Sequence, residues 1–145
     1  MPAIACHADL CFPHCLVSLP IICCMTNSSF SGHGRVLISM KAKMYDPNHL
    51  LDSWKTSDPM THYSWVGIRC DNVGRVMALD VSNMSLSDLF PNVSPEIGNC
   101  SALKSIDLSQ NEFRGAMPAE ISKLSKLSYL NVSRNNLNEI IPTKV

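Results

Sequence analysis

The chain has 145 residues, and its 12 Lys and Arg residues balance its 12 Asp and Glu residues, so the formal net charge is zero. Because nucleic-acid binding needs a basic face that displaces counterions, this balance excludes the usual electrostatic case for a nucleic-acid partner. Hydrophobic residues make up 46% of the chain, which excludes a disordered protein. The seven cysteines are an odd number, so they cannot all pair within one chain.

An uncharged apolar stretch runs from Leu10 to Met25, and five of the seven cysteines lie in or just before it. Its length fits the hydrophobic part of a secretory signal better than a membrane span, which needs about 20 residues. We therefore predict a signal peptide over residues 1–30, although no Lys or Arg precedes the stretch and Pro13 and Pro20 interrupt it. A wrongly assigned gene start is an alternative interpretation.

A metal site is the competing functional interpretation of the same segment. The side chains with ligand chemistry are Cys11, His14, Cys15, Cys23 and Cys24. Their spacings do not reproduce a paired C-x-x-C arrangement, and cysteine also behaves as a small hydrophobe that suits an apolar signal. We therefore predict neither a metal ion nor another cofactor.

Comparison of the sequence with itself shows a repeat of 24 residues in its C-terminal part. The matching pairs are Leu103 and Leu127, Ile106 and Leu130, Leu108 and Val132, Asn111 and Asn135, Phe113 and Leu137, and Pro118 and Pro142. An earlier copy, offset by 27 residues, begins at Val76. This many matches in one register indicates a repeat architecture.

The repeated pattern predicts short strands joined by buried turns. Alternation around Ile106 and Leu108 gives a strand with both side chains directed inward. A buried amide at Asn111 or Asn135 can satisfy backbone groups that the turn leaves unpaired. One such coil cannot bury its own apolar face, whereas stacked coils share a core, so we predict an α/β solenoid.

These residues resemble the plant-type leucine-rich repeat, whose consensus is close to LxxLxxLxLxxNxLxGxIPxxLxxL. The copy from Leu103 follows it well, the copy from Leu127 has Glu139 where Gly is usual, and the copy from Val76 has Met84 in the Asn position. The resemblance implies a right-handed coil with short parallel strands on its concave face. It places about three repeats over residues 76–145, the last of them incomplete.

The segment over residues 31–75 resembles the N-terminal capping domain of the same family. Leu37, Met40 and Met44 recur at helical spacing, and Asp46-Pro47 is expected to end that helix. The residues expected to cover the open first coil are Leu50, Leu51, Trp54 and Trp65. A solenoid needs such a cap at its end.

The family's cap usually carries C-x-W-x-G-V-x-C, and Tyr63 stands here in place of the first cysteine. The resemblance therefore leaves Cys70 without its usual disulfide partner. Pairing of Cys70 with Cys100 is an alternative. Because Cys100 takes the position of Leu124 in the next repeat, we expect it to be a small buried hydrophobe and predict two free thiols.

In this family the non-leucine strand positions line a concave face that binds peptides, hormones or other proteins. The matching positions form four columns: Ala78, Ser105 and Tyr129; Asp80, Asp107 and Asn131; Ser82, Ser109 and Ser133; Asn83, Gln110 and Arg134. The candidate ligand-binding residues among them are Asp80, Ser105, Asp107, Gln110, Tyr129, Asn131 and Arg134. Tyr129 and Arg134 are the expected anchors because aromatic residues and Arg dominate binding hot spots. The alternative is that all of these are merely solvated strand residues.

Five N-x-[ST] sequons, at Asn27, Asn83, Asn92, Asn99 and Asn131, are typical of a secreted protein. We predict glycosylation at the last four, since Asn27 lies next to the signal segment. A sugar on Asn83 or Asn131 would cover part of the concave face.

The sequence carries no G-x-S-x-G, H-E-x-x-H or Walker pattern, and His33, His49 and His62 have no spacing that creates a site, so we predict no enzyme. The resemblance implies an extracellular module, secreted or at the cell surface, that recognises a peptide or a protein such as another leucine-rich-repeat receptor. It looks like the start of a plant receptor kinase ectodomain. The alternatives are a secreted inhibitor similar to polygalacturonase inhibitors and a truncated gene product without independent activity.

The chain stops within its third coil, and no membrane-spanning helix is expected after residue 25. The apolar edge of that coil should then be exposed, and repeat arrays need about three or more units for stability. We therefore predict self-association through the uncapped C-terminal coil.

Overall fold

The computed structural model describes residues 28–55, 57, 59–88 and 95–138 of the chain. Several expectations lie outside the described residues. They concern the signal segment with its cysteines, Asn27, Asn92, Glu139 and Pro142.

Helix α1 (Ser28–Lys41) buries Leu37 and Met40 together with Val36, which confirms the predicted helical spacing for Leu37 and Met40. Met44 lies beyond the end of the helix, so its place in the helical pattern is wrong, although it packs against the core. The helix ends at Lys41, so the expectation that Asp46-Pro47 ends it is wrong. The chain leaves the helix earlier because Tyr45 pairs with Ser87 of the first coil. The two residues exchange backbone hydrogen bonds of 3.0 and 3.2 Å, which need an extended backbone.

In the described part of the chain, six short strands follow. They are β1 (Ile68–Cys70), β2 (Val76–Asp80), β3 (Ser105–Asp107), β4 (Arg114–Gly115), β5 (Tyr129–Asn131) and β6 (Asn136–Leu137). A four-stranded sheet has the order β1-β2-β3-β5, in which β1 pairs antiparallel with β2 and the other pairs are parallel. A second, two-stranded parallel sheet joins β4 and β6.

Short 3₁₀ helices carry the chain back on the other side of the coils, at Pro95–Asn99 and Ala119–Lys123, and these two helices pack against each other. A further 3₁₀ helix, Pro59–Ser64, belongs to the cap and packs against α1. Strand, turn and 3₁₀ helix thus recur from coil to coil, which confirms the predicted solenoid with parallel strands and a helical cap.

One hydrophobic core runs from α1 through the cap into the coils. Trp54 and Trp65 stack in the cap with ring centroids 5.8 Å apart, and Leu51 is fully buried beside them. Leu50 is 42% exposed, so the expectation that it covers the first coil is wrong. Leu50 is fixed by its backbone rather than by its side chain, since its N–H donates to the Asp46 carboxylate at 3.1 Å.

The turn that leads into this cap–coil contact requires glycine at one position. Gly67 has a φ of +75°, and a Cβ at that position would collide with the backbone carbonyl oxygen of Asp80. The same close approach lets the Asp80 N–H donate to the Gly67 carbonyl oxygen at 2.8 Å. The glycine in the cap motif is therefore needed for both conformation and space.

Asn111 holds the turns of the first two coils together. Its Oδ1 accepts the N–H groups of Met84 and Leu86 at 3.2 and 2.9 Å. Its Nδ2 donates to the carbonyl oxygens of Val81 and Leu108 at 2.8 and 3.0 Å. The predicted role of a buried amide in the turn is confirmed, and the same side chain supplies the amide that Met84 lacks.

Asn135 acts in the same way one coil later. Its Oδ1 accepts the Phe113 N–H at 3.1 Å, and its Nδ2 donates to the carbonyl oxygens of Leu108 and Val132 at 2.9 and 3.0 Å. Asn135 is only half-buried, whereas Asn111 is buried. The turn of the later coil is therefore closer to solvent.

Candidate ligand-binding face

Side chains line up across the strands on one face of the four-stranded sheet. Two rows cross β2, β3 and β5: Ala78, Ser105 and Tyr129 in one, and Asp80, Asp107 and Asn131 in the other. Neighbouring strands lie about 4.8 Å apart, so each row is a continuous ladder of side chains. The alignment that the repeat predicts is confirmed for these two columns.

Asp107 connects its own coil to the next one. Its Oδ2 accepts the Tyr129 hydroxyl at 2.9 Å and the Asn131 Nδ2 at 3.1 Å. Its Oδ1 accepts the Ser109 N–H at 2.9 Å and the Ser109 hydroxyl at 2.6 Å. We call Asp107, Tyr129 and Asn131 the Asp107 cluster.

The Asp107 cluster carries a fixed negative charge. Burial would by itself raise the pKa of the Asp107 carboxyl, but hydrogen bonds from Ser109, Tyr129 and Asn131 favour the ionised form. Their combined effect is stronger, so the pKa of Asp107 is lowered from its ordinary value. The carboxylate therefore stays ionised at neutral pH.

Tyr129 is the large exposed group of the face. Half of its surface is exposed, while its hydroxyl is tied to Asp107. A tyrosine ring offers a large amphipathic contact area at low cost in conformational entropy, and the hydrogen bond restricts the ring further. The arrangement can therefore present a pre-organised aromatic surface to a partner.

The carboxylate of Asp80 also has a structural role. Its Oδ1 accepts the Ser82 N–H at 3.1 Å and the Ser82 hydroxyl at 2.7 Å, as Asp107 does with Ser109. Asn131 repeats the pattern by accepting the Ser133 N–H at 3.2 Å. An acceptor followed two residues later by serine closes the turn after each strand, which explains why these serines recur.

The fourth predicted column lies beside the strands, in the turns that follow them. Asn83, Gln110 and Arg134 have φ values of 54°, 57° and 55°, in the left-handed region. Gln110 and Arg134 are exposed and flank the face. Ala78 and Ser109 are buried, so the expectation that every column contributes contact surface is wrong for these two positions.

Arg69 is a residue of this face that the repeat comparison missed. It lies on β1 opposite Ala78 and is exposed, so it extends the first row to the N-terminal edge of the sheet. The repeat could not indicate it because β1 belongs to the cap. The sequence does offer one signal for this residue. Apolar and polar residues alternate over Ile68, Arg69 and Cys70, which indicates a strand with the arginine directed outward.

The two described cysteines are free thiols, as predicted. Burial raises the pKa of Cys100 to about 11. Burial, followed by the charge of Asp71, raises the pKa of Cys70 to about 11 as well. Both therefore remain protonated at neutral pH and are poor nucleophiles.

In the described ranges, no group of three or more His, Cys, Asp or Glu side chains could hold a metal ion. Within the same ranges, no helix is long and apolar enough to cross a membrane.

Two family profiles match the chain. The leucine rich repeat N-terminal domain matches residues 31–71, and the leucine rich repeat matches residues 74–137. The chain is a leucine-rich-repeat protein.

Its relatives include plant receptor kinases. The chain is 37% identical over 86 residues to the MDIS1-interacting receptor like kinase 1 of Arabidopsis thaliana, a match that covers 59% of this chain and 8% of that kinase. The leucine-rich-repeat chain therefore spans only a small part of this relative.

Solved ectodomains from Arabidopsis thaliana share the fold. The BIR2 ectodomain is 32% identical with a TM-score of 0.63, over 76% of this chain and 58% of that one. The ectodomain of the receptor kinase GASSHO1/SCHENGEN3, solved in complex with CASPARIAN STRIP INTEGRITY FACTOR 2, is 30% identical with a TM-score of 0.64, over 76% of this chain and 13% of that one. In both solved structures, the region similar to this chain belongs to the ectodomain of the receptor.

Proposed function

We propose that the leucine-rich-repeat chain is part of an extracellular module that recognises a peptide or another protein. The binding face consists of the outward-directed side chains of β2, β3 and β5, of which Asp80 and Tyr129 are exposed, with Arg69 at its edge. The observation that carries the proposal is the Asp107 cluster, which holds an exposed tyrosine ring in a fixed place by contacts between two coils. If Tyr129 were only a solvated strand residue, its side chain would not need the hydrogen bond to Asp107.

The related proteins support the same function. The GASSHO1/SCHENGEN3 ectodomain, which shares this fold, is in complex with a factor that it binds. The MDIS1-interacting receptor like kinase 1 is a receptor kinase, which favours a receptor ectodomain at the cell surface over a secreted inhibitor. The repeats themselves carry no kinase activity in this proposal.

The charges of the face indicate what kind of ligand fits it. Arg69 lies at one end of the first row, Tyr129 lies at the other, and the carboxylates of Asp80 and Asp107 lie in the second row. A segment that crosses the strands would meet both signs of charge and one aromatic surface. We propose that the ligand is a polar peptide segment that carries at least one basic group for the carboxylates.

A photo-crosslinking experiment tests this proposal. A photoreactive phenylalanine derivative replaces Gln110, which is exposed beside the face, in one variant and Tyr45, which is 62% exposed on the cap, in a control variant. Both substitutions leave the Tyr129 hydroxyl and the Asp107 cluster in place. Each variant is irradiated with an extracellular peptide fraction from plant tissue, and the adducts are identified by mass spectrometry. We expect a defined peptide or protein adduct from position 110 alone. Equal adducts from both positions, or none from position 110, would reject the proposal.

We also propose that two of the predicted sequons carry glycans. Asn83 and Asn99 are exposed. Asn131 is half-buried, and its Nδ2 donates to Asp107, so a sugar there would disturb the Asp107 cluster. Glycopeptide mass spectrometry of the protein secreted from plant cells should find Asn83 and Asn99 occupied and Asn131 free. Sugar on Asn131 in correctly folded protein would contradict the assignment.

A further inference from the structure

Two buried histidines meet where the cap is attached to the first coil. His33 on α1 is 7% exposed, and His62 in the 3₁₀ helix Pro59–Ser64 is 2% exposed. Both bind backbone groups where the connection from β1 enters β2, His62 at Gly74 in the connection and His33 at Val76, the first residue of β2. The His33 Nδ1 accepts the Val76 N–H at 3.2 Å, and the His62 Nε2 donates to the Gly74 carbonyl oxygen at 2.9 Å. We call these four residues the histidine junction.

The two imidazoles have different protonation requirements. A ring nitrogen that accepts an N–H must carry no proton, so the His33 contact exists only with a neutral imidazole. A ring nitrogen that donates to a carbonyl carries a proton in both the neutral tautomer and the imidazolium, so the His62 contact tolerates acid. Protonation of His33 would set two N–H groups against each other and leave the buried Val76 N–H without its acceptor.

Burial and most of the charges around the histidine junction disfavour protonation of His33. The charged groups that face His33 are His62, Asp71 and Arg75, and Arg35 and Glu96 lie along the neighbouring cleft. Burial first, and then His62 and Arg75, lower the pKa of His33, while Asp71 opposes them. Asp71 is already engaged, because its Oδ2 accepts the Arg75 Nε at 2.7 Å.

The covalent support that could hold this region is absent. Tyr63 occupies the position where the family's cap usually has a cysteine, and Cys70 on β1 is a free thiol. The cap is therefore attached to the first coil by packing and hydrogen bonds, among which the His33 contact reaches the first residue of β2.

We propose that protonation of His33 releases the cap helix from the first coil, so that the histidine junction makes the attachment of the cap acid-sensitive. Above an ordinary histidine pKa of about 6.5, His33 is neutral in both the attached and the released states, and the attachment has its full strength. Below that pH the released state binds a proton that the attached state excludes, so the attachment weakens as the pH falls toward the lowered pKa. This behaviour does not depend on the proposed ligand binding.

Hydrogen exchange of the full chain, followed by NMR between pH 7.5 and 5.5, tests the proposal. After correction for intrinsic exchange rates, the protection of the Val76 amide and the α1 amides should fall by up to about tenfold between pH 7.5 and 5.5. Constant protection over this range in the wild-type chain would overturn the proposal.

Two variants assign the effect to one residue. His33→Asn keeps an acceptor near the Nδ1 position without titrating, and we expect it to remove the pH dependence. His62→Gln keeps a donor for Gly74 and should leave the pH dependence unchanged. The reverse pattern would overturn the proposal. If His33→Asn does not fold, the imidazole of His33 is titrated by NMR in the wild-type chain, and a midpoint at or above 6.5 would overturn it.

Discussion

Within the described residues, the first and the last coil of this solenoid differ in how completely they are covered. At the N-terminal end, Leu51, Trp54 and Trp65 are buried over the first coil. The Lys41 ammonium group joins α1 to this cover, since it donates to the carbonyl oxygens of Leu51 and Trp54 at 2.7 and 3.0 Å. The cap thus closes the stack with both apolar contacts and directed hydrogen bonds.

At the other end, β5 is the outermost strand of the four-stranded sheet. Its coil has Leu130 and Val132 half-buried, whereas Ile106 and Leu108, at the same repeat positions one coil earlier, are buried. The same sequence pattern therefore reaches different degrees of burial because, within the described residues, only the coil of β3 has a neighbouring strand on both sides. In a solenoid, stability comes from the neighbouring coil as much as from the coil's own residues.

The largest expected difference between the two ends comes from truncating one apolar side chain in each. Trp54→Ala removes a buried ring whose Nε1 donates to the Val66 carbonyl oxygen at 2.8 Å, so it should cost about 3–5 kcal/mol of unfolding free energy. Leu130→Ala should cost about 1 kcal/mol, because half-burial leaves less contact to lose. Urea denaturation of both variants measures the costs. Equal losses would contradict the contrast between a closed and an open end.

A second contrast concerns the two asparagines of the turns. Asn111→Ala leaves several buried backbone groups without partners and should cost about 3 kcal/mol, whereas Asn135→Ala should cost about 1 kcal/mol because solvent reaches its partners. Both losses are measured as shifts of the denaturant midpoint, provided that the dependence of the unfolding free energy on denaturant concentration is unchanged. A loss for Asn135→Ala that equals or exceeds the loss for Asn111→Ala would show that the turn held by Asn135 is as well shielded from solvent as the turn held by Asn111.

The cap can also be strengthened beyond its present state. Tyr63→Cys supplies the cysteine that the family's cap usually carries at this position, and a disulfide with the free Cys70 that closes so short a loop should add about 2 kcal/mol of unfolding free energy under oxidising conditions. Tyr63→Ser is the matched control, since it removes the ring without adding a thiol. No gain over Tyr63→Ser, or a gain that persists with reductant, would show that the two cysteines do not pair.

The smallest expected effect is on association between chains. Because Leu130 and Val132 lie half-buried at the outer strand, the 145-residue chain should self-associate with rising concentration in sedimentation experiments. Val132→Lys should weaken this association. Val66→Lys, which alters an exposed valine of the cap, should leave it unchanged. Association that is sensitive to Val66→Lys instead would place the contact at the cap.

Repeat periodicity predicts the features that recur from coil to coil. The rows across the strands, the buried Asn111 and the buried Cys100 all follow from aligning one copy with the next. Features that depend on a single long-range contact cannot be predicted from the alignment of the repeat copies. Helix α1 ends at Lys41 because Tyr45 pairs with the distant Ser87, which no local signal indicates.

The candidate site shows the same division. The juxtaposition of Asp107 and Tyr129 follows from the alignment of the copies, but the hydrogen bond between them depends on side-chain geometry. The left-handed backbone of Gln110 has no signal in the residue type, since such φ values favour Gly and Asn. The contact between His33 and β2 joins residues far apart in the sequence, so motif spacing could not reveal it.

Hydrogen exchange at three equivalent amides tests the difference between the two ends most directly. The Val81 N–H donates to the Asp107 carbonyl oxygen at 3.0 Å, and the Leu108 N–H donates to the Asn131 carbonyl oxygen at 2.8 Å. Val132 has the same repeat position, and within the part of the chain that the structure describes no strand lies beyond β5 to accept its N–H. In dilute, monomeric 145-residue protein we predict strong protection of the Val81 and Leu108 amides and rapid exchange at Val132. Protection of Val132 equal to that of Leu108 would contradict an open last coil.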